Sequence, residues 1–187
     1  MKEIDRTLRW RGKFIEVNQI EYEDKDGNIR EWECVSRKGD QEAVTIIAWL
    51  RVSKKLIVIK QYRPPIDAYE IGFPAGLIDE GERPEECAIR ELKEETGYTG
   101  TLRHVTTPTA SSAGLTNEAV YIVMLDIDED DEKNKDVVPE LEDGEDIQTF
   151  LVHRGALVDF IKKSVRDGCM LGGRFSSYVC GLAGSGS

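Results

Sequence analysis

A chain of 187 residues, 40% of them hydrophobic, is the size of one ordinary domain or one domain with a small extension, and it can bury a core. With 25 basic against 36 acidic residues and a formal net charge of −11, its surface repels nucleic-acid backbones and anionic lipid, so a polyanionic partner needs metal ions or a local basic patch. No apolar run approaches the roughly 18 residues of a membrane span, and the opening MKEIDRTLRW alternates charges without the apolar stretch of a secretory signal, so a cytoplasmic protein with no nucleic-acid or membrane partner is expected.

In chain order, residues 13–23 and 29–37 are rich in strand-forming side chains and flank an Asp26-Gly27 turn, the pattern of a β-meander within the first forty residues. Residues 43–50 (AVTIIAWL) and 56–62 (LIVIKQY) read as buried strands, the second ended by Pro64-Pro65. Residues 84–96 read as a helix: Pro84 suits its first turn and Gly97 the left-handed position that closes it, although Arg83 is a poor N-cap. Strands are expected at 119–127 and 147–153, separated by the long acidic run DEDDEKNKDVVPELEDGED, whose length marks it as functional or disordered. A second helix at about 155–166 places Leu157, Phe160, Ile161 and Val165 at core-packing spacing. The ending GLAGSGS reads as a flexible tail, assigned to residues 183–187. Strands, helix, strands, helix make an α+β fold with a mixed sheet packed between helices.

The cysteines (Cys34, Cys87, Cys169 and Cys180) are far apart, without a CxxC pair, and the chain has only 2 histidines. That spacing speaks against a zinc site and against a disulfide framework. Metal chemistry in this chain is therefore oxygen-ligand chemistry.

The carboxylates that would do it stand between residues 76 and 98, GLIDEGERPEECAIRELKEETGY. At about 100° per residue, Ala88, Ile89 and Leu92 form one apolar stripe of the helix, and Glu91, Glu94 and Glu95 gather beside it. Like charges so placed repel by about 0.2–0.5 kcal/mol per pair even when exposed. Next to a core the cost grows, because a desolvated carboxylate prefers to be neutral or paired. A hard divalent cation resolves that conflict. The bland alternative is a solvated face with intrahelical ion pairs, since Glu86–Arg90 and Arg90–Glu94 are both i,i+4.

The segment resembles the Nudix box, supplied here by Gly76, Glu82, Arg90, Glu91, Leu92, Glu94, Glu95, Gly97 and Tyr98, the last aromatic where an aliphatic residue is usual. Over residues 10–182 the chain is similar to the ADP-ribose pyrophosphatase branch of Nudix hydrolases, in the runs KQYRPP and FPAGLIDEGE above all. The resemblance implies a Nudix domain at 41–182 and a small antiparallel β subdomain at 1–40, exchanged between the subunits of a homodimer. It implies hydrolysis of ADP-ribose to AMP and ribose 5-phosphate with Mg²⁺, for which Mn²⁺ can substitute. Metal ligands would be Glu91, Glu95, the carbonyl of Ala75, and with them Glu94 and Glu145. Arg90 and Glu82 would pair to hold the loop–helix–loop rigid. Phe14 and Trp32 match positions that sandwich the adenine, Arg37 and Arg63 match arginines that hold the diphosphate, and Glu33, Leu77 and Ser112 stand where the family contacts its ligand. Ala113 replaces a usual proline, and Ser112 a position where an acidic residue can contact the base or ribose. Glu145, in Asp143-Gly144-Glu145, matches the further glutamate that activates water, with Glu118, Glu140, Glu142 and Asp146 as competitors. Two other readings stand beside this one: a pyrophosphatase for a different nucleoside diphosphate sugar or an oxidised nucleotide, and a silent module that only binds ADP-ribose.

Overall fold

The computed structural model describes residues 1–184. Three strands, β1 (Lys2–Arg11), β2 (Ile15–Glu23) and β3 (Ile29–Arg37), form a separate antiparallel sheet in that order. The β2–β3 turn is fixed by Asp24, whose carboxylate accepts from the backbone N–H groups of Asp26 and Asn28 at 2.9 Å, while Gly27 takes φ 80°. The sequence reading began this meander at residue 13 and missed β1. The reason is physical: every residue of β1 is exposed, so no buried face writes a pattern into it.

The main sheet has nine strands: β4 (Ala43–Leu50), β5 (Lys55–Arg63), β6 (Ala68–Gly72), β7 (Ala75–Leu77), β8 (Thr101–Val105), β9 (Thr109–Ala110), β10 (Ala119–Ile127), β11 (Ile147–His153) and β12 (Met170–Leu171). It is mixed, because β10 runs parallel to β4 and β12 parallel to β6 while the other pairings are antiparallel. Strand alternation sorts the core into two layers. Val44, Ile46, Ala48 and Leu50 point to one face, where they meet Cys87, Ala88 and Leu92 of α1 (Pro84–Thr96). Leu56, Val58 and Ile71 point to the other, where they meet α2 (Leu157–Arg166) and α3 (Gly173–Gly184). Each such buried aliphatic side chain contributes roughly 1.5–3 kcal/mol.

Helix α3 was not expected. Phe175 and Val179 are buried in its face, Phe73 packs edge-on against both Phe175 and Tyr178, and Trp49 donates its indole N–H to the Tyr178 hydroxyl at 2.9 Å. Of the tail assigned to 183–187, Ala183 and Gly184 complete this helix, and 185–187 lie outside the described residues. The small sheet docks on the loop before β10: Val35 N–H donates to Leu115 O at 2.8 Å, and the Trp32 indole to Gly114 O at 3.2 Å. Arg37, at the end of β3, reaches the main cleft.

Candidate active site

Helix α1 begins without a side-chain cap from Arg83, but Glu86 accepts from the Arg83 backbone N–H at 3.2 Å, which serves one otherwise unpartnered amide. Its end is sharp, with Gly97 at φ 76° donating to Lys93 O. Between these ends Arg90 is the hub. Its guanidinium grips Glu82 at two points (Nε to Oε1 2.9 Å, Nη2 to Oε2 2.8 Å), and reaches Glu91 at 2.8 Å, Glu94 at 3.0 Å and the Leu77 carbonyl at 3.2 Å. The Arg90 bond is the main reason the Glu82 carboxyl is held down to about 2. Cys87, on the same turn, is buried and its thiol is pushed up to about 12, so it is inert packing.

Glu95 faces the core side of the helix and is only 4% exposed, accepting a single 3.2 Å bond from Ala75 N–H. Burial pushes its carboxyl up to about 8; the Ala75 bond works against the shift, and the charges of Glu91 and Glu145 add to it. Burial likewise raises Glu91, with Arg90 opposing. Gly76 is needed for clearance, because a Cβ there would fall on the Glu91 carboxyl group. Among the described residues no three carboxylate, imidazole or thiol side chains stand as a preformed cation cage. The donors nevertheless fit a hard cation: a nearly buried carboxylate with one hydrogen bond, a second half-buried one beside it, and a third charge close by, all oxygen.

These carboxylates line a cleft of about 690 Å³. Arginines line the same cleft. Arg37 of β3 bonds Glu118 at 2.7 Å, and Arg63 of β5 bonds Glu70 at 3.2 Å. Arg174, in the first turn of α3, donates to the Ser111 hydroxyl at 2.9 Å. Burial works to raise the Glu118 carboxyl, but Arg37, Ser111 and Arg174 together hold it low. Glu118 is thus committed to its arginine and is a poor proton acceptor. Asp146 is also engaged, by the Tyr69 hydroxyl at 2.6 Å.

Of the residues singled out from the sequence, Ala75, Leu77, Arg90, Glu91, Glu94, Glu95, Glu145, Arg37 and Arg63 line this one cleft, and Glu82 stands behind Arg90. Glu142 also lines it. Phe14 (68% exposed), Trp32 (49% exposed), Glu33 and Ser112 do not reach the cleft within one chain. Nor are the two aromatics together. Strand register pairs Ile20 with Trp32 and Ile15 with Arg37, so Phe14 lies beyond Ile15 at the far end of β2, a separation of roughly 20 Å along the strand.

Sequence reasoning missed Arg174. A signal was present: Phe175, Tyr178, Val179 and Leu182 follow the i, i+3, i+4, i+7 spacing of a packed helix. Taking the glycine-rich end for a tail hid it.

Comparison with known proteins identifies the family. The family profile of the NUDIX domain matches residues 40–165. The ADP-sugar pyrophosphatase of Mus musculus is 36% identical, the match covering 79% of this chain and 71% of that protein. The ADP-ribose pyrophosphatase of Saccharomyces cerevisiae is 33% identical over 91% of this chain and 77% of its own length. A crystal structure of an ADP compounds hydrolase superposes with a TM-score of 0.61 at 26% identity, covering 84% of this chain and 82% of that one. With an intact glutamate–arginine constellation on α1, this chain belongs to the Nudix hydrolase family, as one of its pyrophosphatases.

Proposed function

We propose that the chain hydrolyses the pyrophosphate bond of ADP-ribose to AMP and ribose 5-phosphate, with Mg²⁺ as its metal and Mn²⁺ as a substitute. The observation that carries this reading is one cleft lined both by the carboxylates Glu91 and Glu95 and by the arginines Arg37, Arg63 and Arg174. A diphosphate between two ribosyl groups matches that lining: its charge meets the arginines, and its oxygens meet whatever cation the carboxylates hold.

Glu91 and Glu95 would hold the cation, with the Ala75 carbonyl, Glu94 and Glu145 as further oxygen donors. When bound, the cation neutralises charge building on the phosphate oxygens. Arg90, clamped by Glu82, keeps the Glu91 and Glu94 carboxylates in place. Arg37, Arg63 and Arg174 orient the diphosphate for attack by water at one phosphorus. Glu145 takes the proton of that water as the new P–O bond forms and the bridging P–O bond breaks. Its carboxylate lines the cleft, whereas Glu118 and Asp146 are already bonded to other side chains.

The assembly we infer is a homodimer, with residues 1–40 exchanged and 41–182 forming the catalytic domain. Ile4, Leu8, Trp10, Phe14, Ile15 and Trp32, in or beside the small sheet, are all more than a third exposed, and the register puts Leu8 and Trp32 on one face and Trp10 and Ile15 on the other, so both faces carry apolar surface for a partner to cover. The distance between Phe14 and Trp32 within one chain means that a base held between them needs one ring from each subunit. No helix among the described residues is long and apolar enough to cross a membrane, and the four cysteines are unpaired, which supports a reducing, cytoplasmic setting.

A second reading, cleavage of another nucleoside diphosphate sugar or an oxidised nucleotide, draws on one observation: Glu33 and Ser112, two positions expected to contact the ligand, lie outside the cleft. A panel of nucleoside diphosphate sugars and oxidised nucleotides with Mg²⁺, scored by the phosphate products released, separates the two. ADP-ribose should give the highest kcat/KM; a better oxidised nucleotide would move the assignment.

A further inference from the structure

A helix ends with carbonyls that have no partner inside it. At the end of α1 the carbonyls of Lys93, Glu94 and Glu95 are each met from outside the helix body: Lys93 O by Gly97 N–H at 2.8 Å, Glu94 O by Glu140 N–H at 2.8 Å, and Glu95 O by the Thr149 hydroxyl at a long 3.5 Å. Of these donors, Glu140 lies within the acidic run that the sequence left as functional or disordered, and Thr149 follows just after it.

That run is stitched down at more points. The Asn134 side chain clasps the Thr99 backbone from both sides, its Oδ1 accepting from Thr99 N–H at 2.9 Å and its Nδ2 donating to Thr99 O at 3.0 Å. The same Nδ2 also donates to Asp128 O at 2.8 Å. At Gly97 the two segments touch so closely that an added Cβ would stand 2.8 Å from Val138 N and 2.9 Å from Val137 Cβ. The contacts 94 with 140, 97 with 138 and 99 with 134 run in opposite directions along the two segments. Residues 134–140 are therefore a strap laid antiparallel along the end of the helix. The Lys93–Glu140 ion pair at 3.0 Å is exposed and adds little.

Past the last anchor the chain makes one tight turn. Glu145 N–H donates to Glu142 O at 3.1 Å, Glu142 N–H donates to the Glu145 carboxylate at 3.0 Å, and Gly144 takes φ 88°. This turn hangs between Glu140 and Thr149, both tied to carbonyls adjacent to or within the metal-facing turn of α1.

We infer that residues 134–140 are a positioning strap: by fastening to the end of α1 they set where Glu145 stands relative to Glu91 and Glu95, with Asn134 and Gly97 as its positioning residues. The inference rests on the reading of Glu145 as serving the same site. Gly97 then has two separate tasks, the left-handed helix ending and the clearance under Val137–Val138. Asparagine tolerates the first and violates the second.

Double-mutant cycles on the full chain test this. Asn134→Ala and Gly97→Asn are made alone and with Glu145→Gln, and each variant is read by kcat, by KM and by Mn²⁺ affinity from titration of the free-ion electron paramagnetic resonance signal. Each strap variant should lose about 10–100-fold in kcat and about tenfold in Mn²⁺ affinity while KM stays within about twofold. Added to Glu145→Gln, either should cost nothing further, since the strap acts through that residue. Losses that multiply in the double variants overturn the inference, as does wild-type Mn²⁺ affinity in both single strap variants or in Glu145→Gln. If Asn134→Ala melts below the assay temperature, Gly97→Asn carries the cycle. A wild-type chain that cleaves no nucleoside diphosphate would sink the substrate reading alone, because the Mn²⁺ cycle still decides the strap.

Discussion

Arg90 and Glu82 face each other across the turn before α1 in a two-point pair, at 2.9 and 2.8 Å, with Glu82 also accepting from Asp79 N–H at 3.1 Å. The pair ties the loop to the helix and leaves Arg90 a free edge for Glu91 and Glu94. Its strength is therefore felt both in the fold and at the carboxylates of the cleft.

Glu82 has a folded carboxyl near 2 against an ordinary value of 4.5. A carboxyl lowered on folding contributes stability that is fully present above 4.5 and disappears as pH falls toward 2. Glu82→Gln should therefore cost about 1–3 kcal/mol at neutral pH, and the gap from wild type should narrow steadily below pH 4.5. Denaturant titrations of both chains across that range give the answer, and a pH-independent gap would mean the pair is not what Glu82 contributes.

For Glu95 the sign reverses. Its carboxyl rises from 4.5 to about 8 on folding without metal. Ionisation then opposes the fold, so the metal-free chain should lose stability from this group as pH climbs from 4.5 through 8. Glu95→Gln should flatten that decline and leave metal-free stability equal or higher, while turnover falls by orders of magnitude. A cooperative loss of fold, with activity tracking the folded fraction, would return Glu95 to a purely structural role.

Arg174 differs from the other arginines of the cleft. Arg37, Arg63 and Arg90 are each bonded to carboxylates, whereas the hydrogen bond of Arg174 goes to a neutral hydroxyl. Its charge is the one most available to an incoming phosphate. Arg174→Ala should raise KM for ADP-ribose by about 10–100-fold with a smaller change in kcat, the pattern of binding shared by ground and transition states. An unchanged KM would confine Arg174 to bracing Ser111.

The separation of Phe14 and Trp32 makes the shared site testable by mixing chains. Phe14→Ala and Trp32→Ala should each raise KM more than they lower kcat. Co-refolded in equal amounts, they should recover about a quarter of the wild-type sites, because half of the dimers would carry one intact pair. No recovery would place both rings in one chain's own packing or outside the site altogether.

How much of this was legible beforehand depended on whether burial wrote a period into the sequence. Helix α1 and strands β10 and β11 have the bounds read from it, because buried residues recur at the helical period in Ala88 and Leu92 and at the strand period in Val123 and Leu125. The carboxylates of α1 were legible for the same reason, as charges set against an apolar stripe. Strand β1 buries nothing and left no period, and α3 was hidden by its glycines although Phe175 and Val179 anchor it in the core. The strap was invisible for a different reason. Its contacts run through backbone groups of Glu94, Thr99 and Glu140, and through the space that Gly97 leaves empty, none of which is a side-chain pattern.

The central claim is that the carboxylates and the arginines of the cleft act together on a diphosphate. Incubating the full chain with ADP-ribose and Mg²⁺, and following the reaction by phosphorus NMR, tests it most directly. The diphosphate signals should give way to two monophosphate signals, AMP and ribose 5-phosphate, in equal amounts; chelation should stop the conversion and added Mg²⁺ or Mn²⁺ restart it. A diphosphate that persists unchanged with either metal would contradict the account.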